Sequence, residues 1–121
     1  MKIKLQEAIS LSMEINGTKD YKGLVSQKLS FKNKFLLNKI YASIEKDLKL
    51  FDDTKKELFE KYGEKEGENI TISADKFPSF AEEFNPLLEV EVEVNANGLK
   101  LEDIEGLETE EYYPTLVKLL Q

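Results

Sequence analysis

From Leu37 onward, apolar side chains fall at Leu37, Tyr41, Ile44, Leu48, Phe51, Leu58 and Tyr62, spaced alternately four and three residues apart with Lys55 as the one interruption. A period of 3.5 residues keeps these positions on one stripe of an α-helix, whereas a strand would scatter them over both faces. The spacing predicts one helix from about Phe31 to Tyr62, with Ser30 as N-cap and Gly63 as stop. Phe31, Phe35, Leu36, Ile40 and Phe59 widen the apolar face, as in a helix packed on more than one neighbour. At 1.5 Å per residue such a helix is on the order of 48 Å long. A chain of 121 residues, the size of one ordinary domain, cannot cover so long a rod on all sides. Either a shorter helix folds back along it or a second copy of the chain shares the stripe.

The remaining elements are short. Lys2–Leu5 alternates as a strand does, and Leu5, Ala8, Ile9 and Met13 then share a helical face that stops at Asn16-Gly17. After the long helix, the residues around Ile70–Ile72 read as a strand. Phe77, Phe80, Phe84 and Leu88 follow at helical spacing, with Pro78 in a first turn where its missing N–H costs little. Pro86 is expected to end or kink that helix. Between Leu88 and Leu101, apolar and acidic residues alternate on the way into the turn sequence Asn95-Ala96-Asn97-Gly98. This predicts a hairpin over about residues 88–101 in which Val94 faces Leu99, Val92 faces Leu101, and Glu93 meets Lys100 on the outer side. Residues 107–121 are expected to dock through Leu116, Val117, Leu119 and Leu120. The whole reads as a single α+β domain, residues 1–121: one long heptad-patterned helix with shorter helices and a small antiparallel hairpin.

Neither cysteine nor histidine occurs. Disulfides, zinc sites of the usual kind and the Cys-His and Ser-His nucleophile systems are excluded with them, as is the side chain that most often moves protons near neutral pH. No phosphate-binding glycine loop is present. The carboxylates Asp52, Asp53, Glu102, Asp103, Glu105, Glu108, Glu110 and Glu111 lack calcium-loop spacing and read as solvated charge. The expectation is a protein with no enzymatic activity, no metal and no cofactor. No apolar run approaches the roughly 20 residues of a membrane span, and the opening MKIKLQEAIS lacks the apolar core of a signal peptide. An intracellular protein without a membrane partner follows.

All 17 basic residues are lysine, and the charge is polarised: residues 1–50 carry a net +5 and residues 51–121 a net −12. Lys28, Lys32, Lys34 and Lys39, with Phe31 and Phe35 interleaved, make a basic patch. The lack of arginine and the overall charge of −7 disfavour direct nucleic-acid binding there. In the predicted hairpin, Glu89, Glu91 and Glu93 share one strand face, where Lys100 can neutralise only one of them. Glu102, Asp103, Glu108, Glu110 and Glu111 extend that negative surface, and Tyr112 and Tyr113 adjoin it. Together these residues form a candidate binding surface for a basic protein partner, since complementary charge speeds encounter and aromatic residues are enriched at interfaces. The stripe of the long helix is the alternative surface, through a homo-oligomer.

Three stretches, SQKLSFKNKFLLNKIYASIEKDLKLFDDTKKELFEKYGE, LLEVEVEV and LKLEDIEGLETEEYYP, resemble in order and spacing an uncharacterised family of small proteins, a domain of unknown function, from tailed bacteriophages and prophages of low-GC Gram-positive bacteria. They cover about half of the chain, and the first thirty residues match least. The resemblance implies a viral origin and supplies no reaction. In that setting the expectation is a non-enzymatic protein of the host cytoplasm acting through protein–protein contacts with a host or phage partner. It would be an acidic inhibitor of a host enzyme or defence system, in the manner of host-takeover and anti-CRISPR proteins. The alternative is a virion assembly or tail-associated factor, which would place it in the virion.

Overall fold

The computed structural model describes residues 1–19, 23–26, 29–103 and 113–120. Its elements run β1 (Lys2–Lys4), α1 (Leu5–Asn16), a 3-10 turn (Leu24–Ser26), α2 (Phe31–Tyr62), β2 (Gly63–Glu66), β3 (Asn69–Ile72), α3 (Phe77–Leu88), β4 (Glu91–Glu93), a second 3-10 turn (Leu101–Asp103) and α4 (Pro114–Leu120). The fold is α+β, and α2 is its axis. Ser30 caps α2 through its hydroxyl, which accepts from the Asn33 N–H at 3.1 Å. At the other end Gly63 leads straight into β2 in an extended conformation. Crowding makes glycine necessary there: a Cβ would stand 2.3 Å from both Ile70 Cγ2 and the Phe59 carbonyl oxygen.

The first half of α2 is enclosed. Leu37, Ile40 and Ile44 are buried in one cluster with Leu5, Ala8, Leu11 and Ile15 of α1, Val92 and Val94 at β4, and Leu116 of α4. Two sequence expectations change here. The inward face of α1 passes through Leu11 and Ile15, while Ile9 is half-buried and Met13 is exposed, because α1 lies along α2 on the Leu11 side. Phe31 and Phe35 do not widen the buried face of α2; they are 90% and 63% exposed on its opposite side.

Beyond Ile44 the stripe is only half-buried, at Leu48, Phe51, Lys55, Leu58 and Tyr62. A shorter helix does fold back along it, as the length of the rod requires. Phe51 packs on Phe84 with ring centroids 5.9 Å apart, Phe59 on Phe80 at 5.3 Å, and Phe80 stacks on Phe84 at 5.2 Å. Lys55 keeps its place in the stripe by holding its ammonium 5.9 Å from the Phe51 ring centroid. α3 runs two residues past Pro86 and ends at Leu88, ahead of β4. Pro86 sits exposed in the last turn, and the helix closes with i→i+3 bonds from the Glu89 and Val90 N–H groups to the Pro86 and Leu87 carbonyls.

The acidic strand does not form a hairpin with the residues after Gly98. β4 pairs antiparallel with β1 in the register Lys2–Glu93, Ile3–Val92, Lys4–Glu91, while Leu101–Asp103 turns as a 3-10 helix, and the N–H of Lys100 just before it donates to the Asp103 carboxylate at 2.9 Å. The physical reason lies in the side chains: Lys-Ile-Lys against Glu-Val-Glu sets Ile3 beside Val92 in the core and lysines against glutamates outside, a better match than Leu-Lys-Leu offers. The inside-outside alternation holds for Val92 and Val94, which are buried, and fails at Val90, which is 52% exposed. The hairpin among the described residues is β2–β3, joined at Gly67-Glu68 with Gly67 at φ 65°.

Candidate contact surface

Glu91 and Glu93 share the exposed face of β4, whereas Glu89, expected on the same strand face, is the C-cap of α3 in helical conformation; the first four residues place an ammonium beside each of the three. The Lys4 ammonium lies 2.7 Å from Glu89, the Lys2 ammonium 3.8 Å from Glu91, and the Met1 ammonium 2.9 Å from Glu93. The contacts run diagonally across the ladder, since Lys2 stands opposite Glu93 and Lys4 opposite Glu91. Hydrogen bonding and charge from Glu89 raise the Lys4 pKa, and the same two effects from the Met1 ammonium lower that of Glu93. Lys100 meets none of the three glutamates within 4 Å. The strand therefore carries balanced, solvated ion pairs in place of the uncompensated negative face expected from sequence.

Glu102 is exposed, Asp103 is engaged by the Lys100 N–H, and Tyr113 is buried to 3% exposure in the core. Glu108, Glu110, Glu111 and Tyr112, like Lys28 of the basic patch, lie outside the described residues. The carboxylate that the fold does use carries no signal of its own in the sequence. Glu14, on α1 and only 4% exposed, accepts from the N–H groups of Thr115 at 3.2 Å and Leu116 at 2.9 Å, so a side chain about a hundred positions upstream caps the first turn of α4. It is structural: both oxygens are occupied by α4. A groove of roughly 600 Å³ runs between the Asn95–Leu99 loop and the end of α4, walled by Leu119 and Leu120. Its charged groups, the Met1 ammonium and Glu93, neutralise one another. Among the described residues no group of three or more carboxylates is close enough to hold a metal ion.

The outward face of α2 is different. Phe31, Phe35 and Leu50 are the large apolar side chains that α2 leaves exposed, at 90%, 63% and 56%. Lys32, Lys39 and Lys46 stand among them at intervals of seven residues, all exposed, and no described carboxylate lies within 4 Å of any of them, nor of Lys34 or Lys49. The first turn contains no acid. Apolar surface and unpaired charge thus coincide on one helix face. The signal was present in the sequence as the seven-residue lysine spacing, but Phe31 and Phe35 read more naturally as core.

Comparison with family models, with curated proteins and with solved structures returns no match.

Proposed function

We propose that this is a small non-enzymatic protein, phage-encoded in the setting its sequence resemblance implies, that works through protein–protein contacts made by the outward face of α2. The observation that carries the reading is the pair Phe31 and Phe35, one helical turn apart and exposed beside lysines that have no partner among the described residues. Leaving two phenylalanines in water forgoes burial of roughly 1.5–3 kcal/mol each, and aromatic anchors at i and i+4 on a helix suit insertion into a partner's surface.

Of the two roles considered for such a protein, the neutralised β4 stripe removes support from an inhibitor that mimics polyanionic substrate. A long helix with a free face supports an assembly or tail-associated factor. An inhibitor acting through α2 remains the second reading, because exposed aromatic and basic side chains also suit a host enzyme's surface.

Affinity capture of the tagged protein from phage-producing cells, run beside the double variant Phe31→Ser, Phe35→Ser, tests the contact surface. Capture of a defined partner by the parent and its loss from the variant is the expected result. Retention by that variant, with loss from Glu89→Gln, Glu91→Gln, Glu93→Gln, returns the site to the acidic strand. Mass spectrometry of purified virions separates the two roles: presence at a fixed stoichiometry marks an assembly factor, and absence marks an inhibitor.

A further inference from the structure

The lysine row does not simply end. Continuing its interval of seven residues, Lys32, Lys39 and Lys46 are followed by Asp53 and Glu60, and all five are exposed on α2. One position of the heptad therefore reads plus, plus, plus, minus, minus along the helix. Neither Asp53 nor Glu60 has a described ammonium within 4 Å. At 1.5 Å per residue the row spans about 42 Å, with steps of about 10.5 Å.

A face of this kind discriminates among occupants. A uniformly acidic partner, such as an anionic lipid surface or a nucleic acid, is attracted at Lys32 and Lys39 and repelled at Asp53 and Glu60. A uniformly basic partner meets the reverse. The surface that matches both ends at once is the same surface rotated by 180°, and self-complementarity of that sort is what a two-fold interface requires. Placed antiparallel, Lys32 of one copy falls opposite Glu60 of the other and Lys39 opposite Asp53. Both pairs share the same midpoint at Lys46, and a common midpoint is the condition for one rigid register to satisfy both. The same register brings Ala42 opposite Leu50, so an exposed leucine meets a small side chain.

We propose that the occupant of this face is a second copy of the chain, forming an antiparallel dimer through the outward faces of two α2 helices about a two-fold axis at Lys46. The proposal rests on the outward face of α2 being the contact surface. Charge at flanking heptad positions sets the orientation of paired helices, and the sign change along this row selects antiparallel over parallel. Lys46 meets its own copy at the axis. Its long stem can turn to solvent, and Glu45 and Asp47 adjoin it on both helices. A straight helix carries a seven-residue row around its axis by about 20° per repeat, so contact along the full row needs the two helices to cross with a left-handed coil. With few apolar side chains between the helices, the dimer is held substantially by screened charge and is salt-sensitive.

Sedimentation equilibrium of the full chain tests this directly, in 50 mM and 500 mM NaCl. The expected result is a reversible dimer at low salt whose dissociation constant rises at least about tenfold at high salt. The variant Lys32→Glu, Lys39→Glu and the variant Asp53→Lys, Glu60→Lys should each be monomeric alone and should form a one-to-one heterodimer when mixed. Circular dichroism of each variant shows that it is folded. A parent chain that is monomeric at about 100 µM in low salt overturns the proposal. So does a dimer untouched by either pair of reversals, or mixed variants that stay monomeric. Binding of a dT20 oligonucleotide or of vesicles containing phosphatidylglycerol by the parent monomer would assign the lysines to a polyanion and also overturn it. Loss of partner capture in the Phe31→Ser, Phe35→Ser variant reports on the contact reading independently, since that capture does not require a dimer.

Discussion

At the scale of single residues, polar groups with defined partners govern what the fold tolerates. Glu14 is the clearest case. A buried carboxylate that satisfies two backbone donors of α4 leaves both unpaired when removed, so Glu14→Ala should cost about 1–3 kcal/mol in chemical denaturation. An unchanged denaturation midpoint and slope would show that water replaces the carboxylate at no cost. Glu83 makes a second, exposed example. It accepts a hydrogen bond from the Tyr62 hydroxyl and pairs with the Lys61 ammonium at 3.1 Å. The tyrosine, then the lysine, holds its pKa below the ordinary glutamate value, and Glu83 with Tyr62 raises that of Lys61. Because the folded pKa of Glu83 is depressed, its contribution is present above the unfolded value and is lost as pH falls through the folded one. For Lys61 the contribution is present below 10.5 and is lost as pH rises through the raised value. Both groups are substantially exposed, so the expected readout is a titration midpoint and not a large stability change. An NMR titration should place Glu83 below free glutamate, and Tyr62→Phe should move it upward. A midpoint that ignores that substitution would assign the shift to Lys61 alone.

Elements show what was legible in sequence and what was not. α2 was readable to the residue, Phe31–Tyr62, because its stripe, N-cap and stop are all local signals that agree. β4 was readable as a strand, but its partner was not, since pairing is a competition between segments far apart in the chain and the local turn at Asn95–Gly98 pointed to the wrong one. That turn does exist: Asn97 N–H donates to the Asn95 side chain and Gly98 has φ 92°, yet it leads into a 3-10 helix. The β2 strand, Gly-Glu-Lys-Glu, has no apolar alternation and gave no signal. Of the candidate site, only Glu91 and Glu93 stand on the strand face the sequence suggested, and that face was misread in charge, because the lysines that balance it lie some ninety residues away. The pairing makes a prediction. Lys2→Glu with Lys4→Glu sets five like charges on the β1–β4 surface and should lower the thermal midpoint, more so at 50 mM than at 500 mM NaCl. Adding Glu89→Lys and Glu91→Lys should restore it. A midpoint unmoved by the two reversals would mean that β1 is held by Ile3 and its backbone bonds alone.

On the scale of the whole molecule, the described residues form a well-enclosed core and a more open end. Ile3, Leu11, Ile15, Leu37, Ile40, Ile44, Val92 and Leu116 close the core around the first half of α2, whereas between Glu45 and Glu91 the one described residue that is buried is Phe80. The far half of α2 and α3 are therefore held together by a ladder of rings centred on Phe80, which touches Phe59, Tyr62, Phe77 and Phe84. Local stability follows enclosed apolar contact, and a helix continuous across both regions lets the open end loosen while the core stays shut. Native-state hydrogen exchange should find the α3 amides opening at lower free energy than those around Leu11 and Ile40 in the core. Phe80→Ala removes the hub of the ladder. It should lower the opening free energy of α3 and of Phe51–Tyr62 by about 3–5 kcal/mol, or to full exposure if less than that holds them, and leave the slowest amides of α1 unchanged. A uniform loss of protection across α1, α2 and α3 would show instead that α2 transmits the damage and the chain opens as one cooperative unit. The outward face of α2 should then be as rigid at Glu60 as at Lys32.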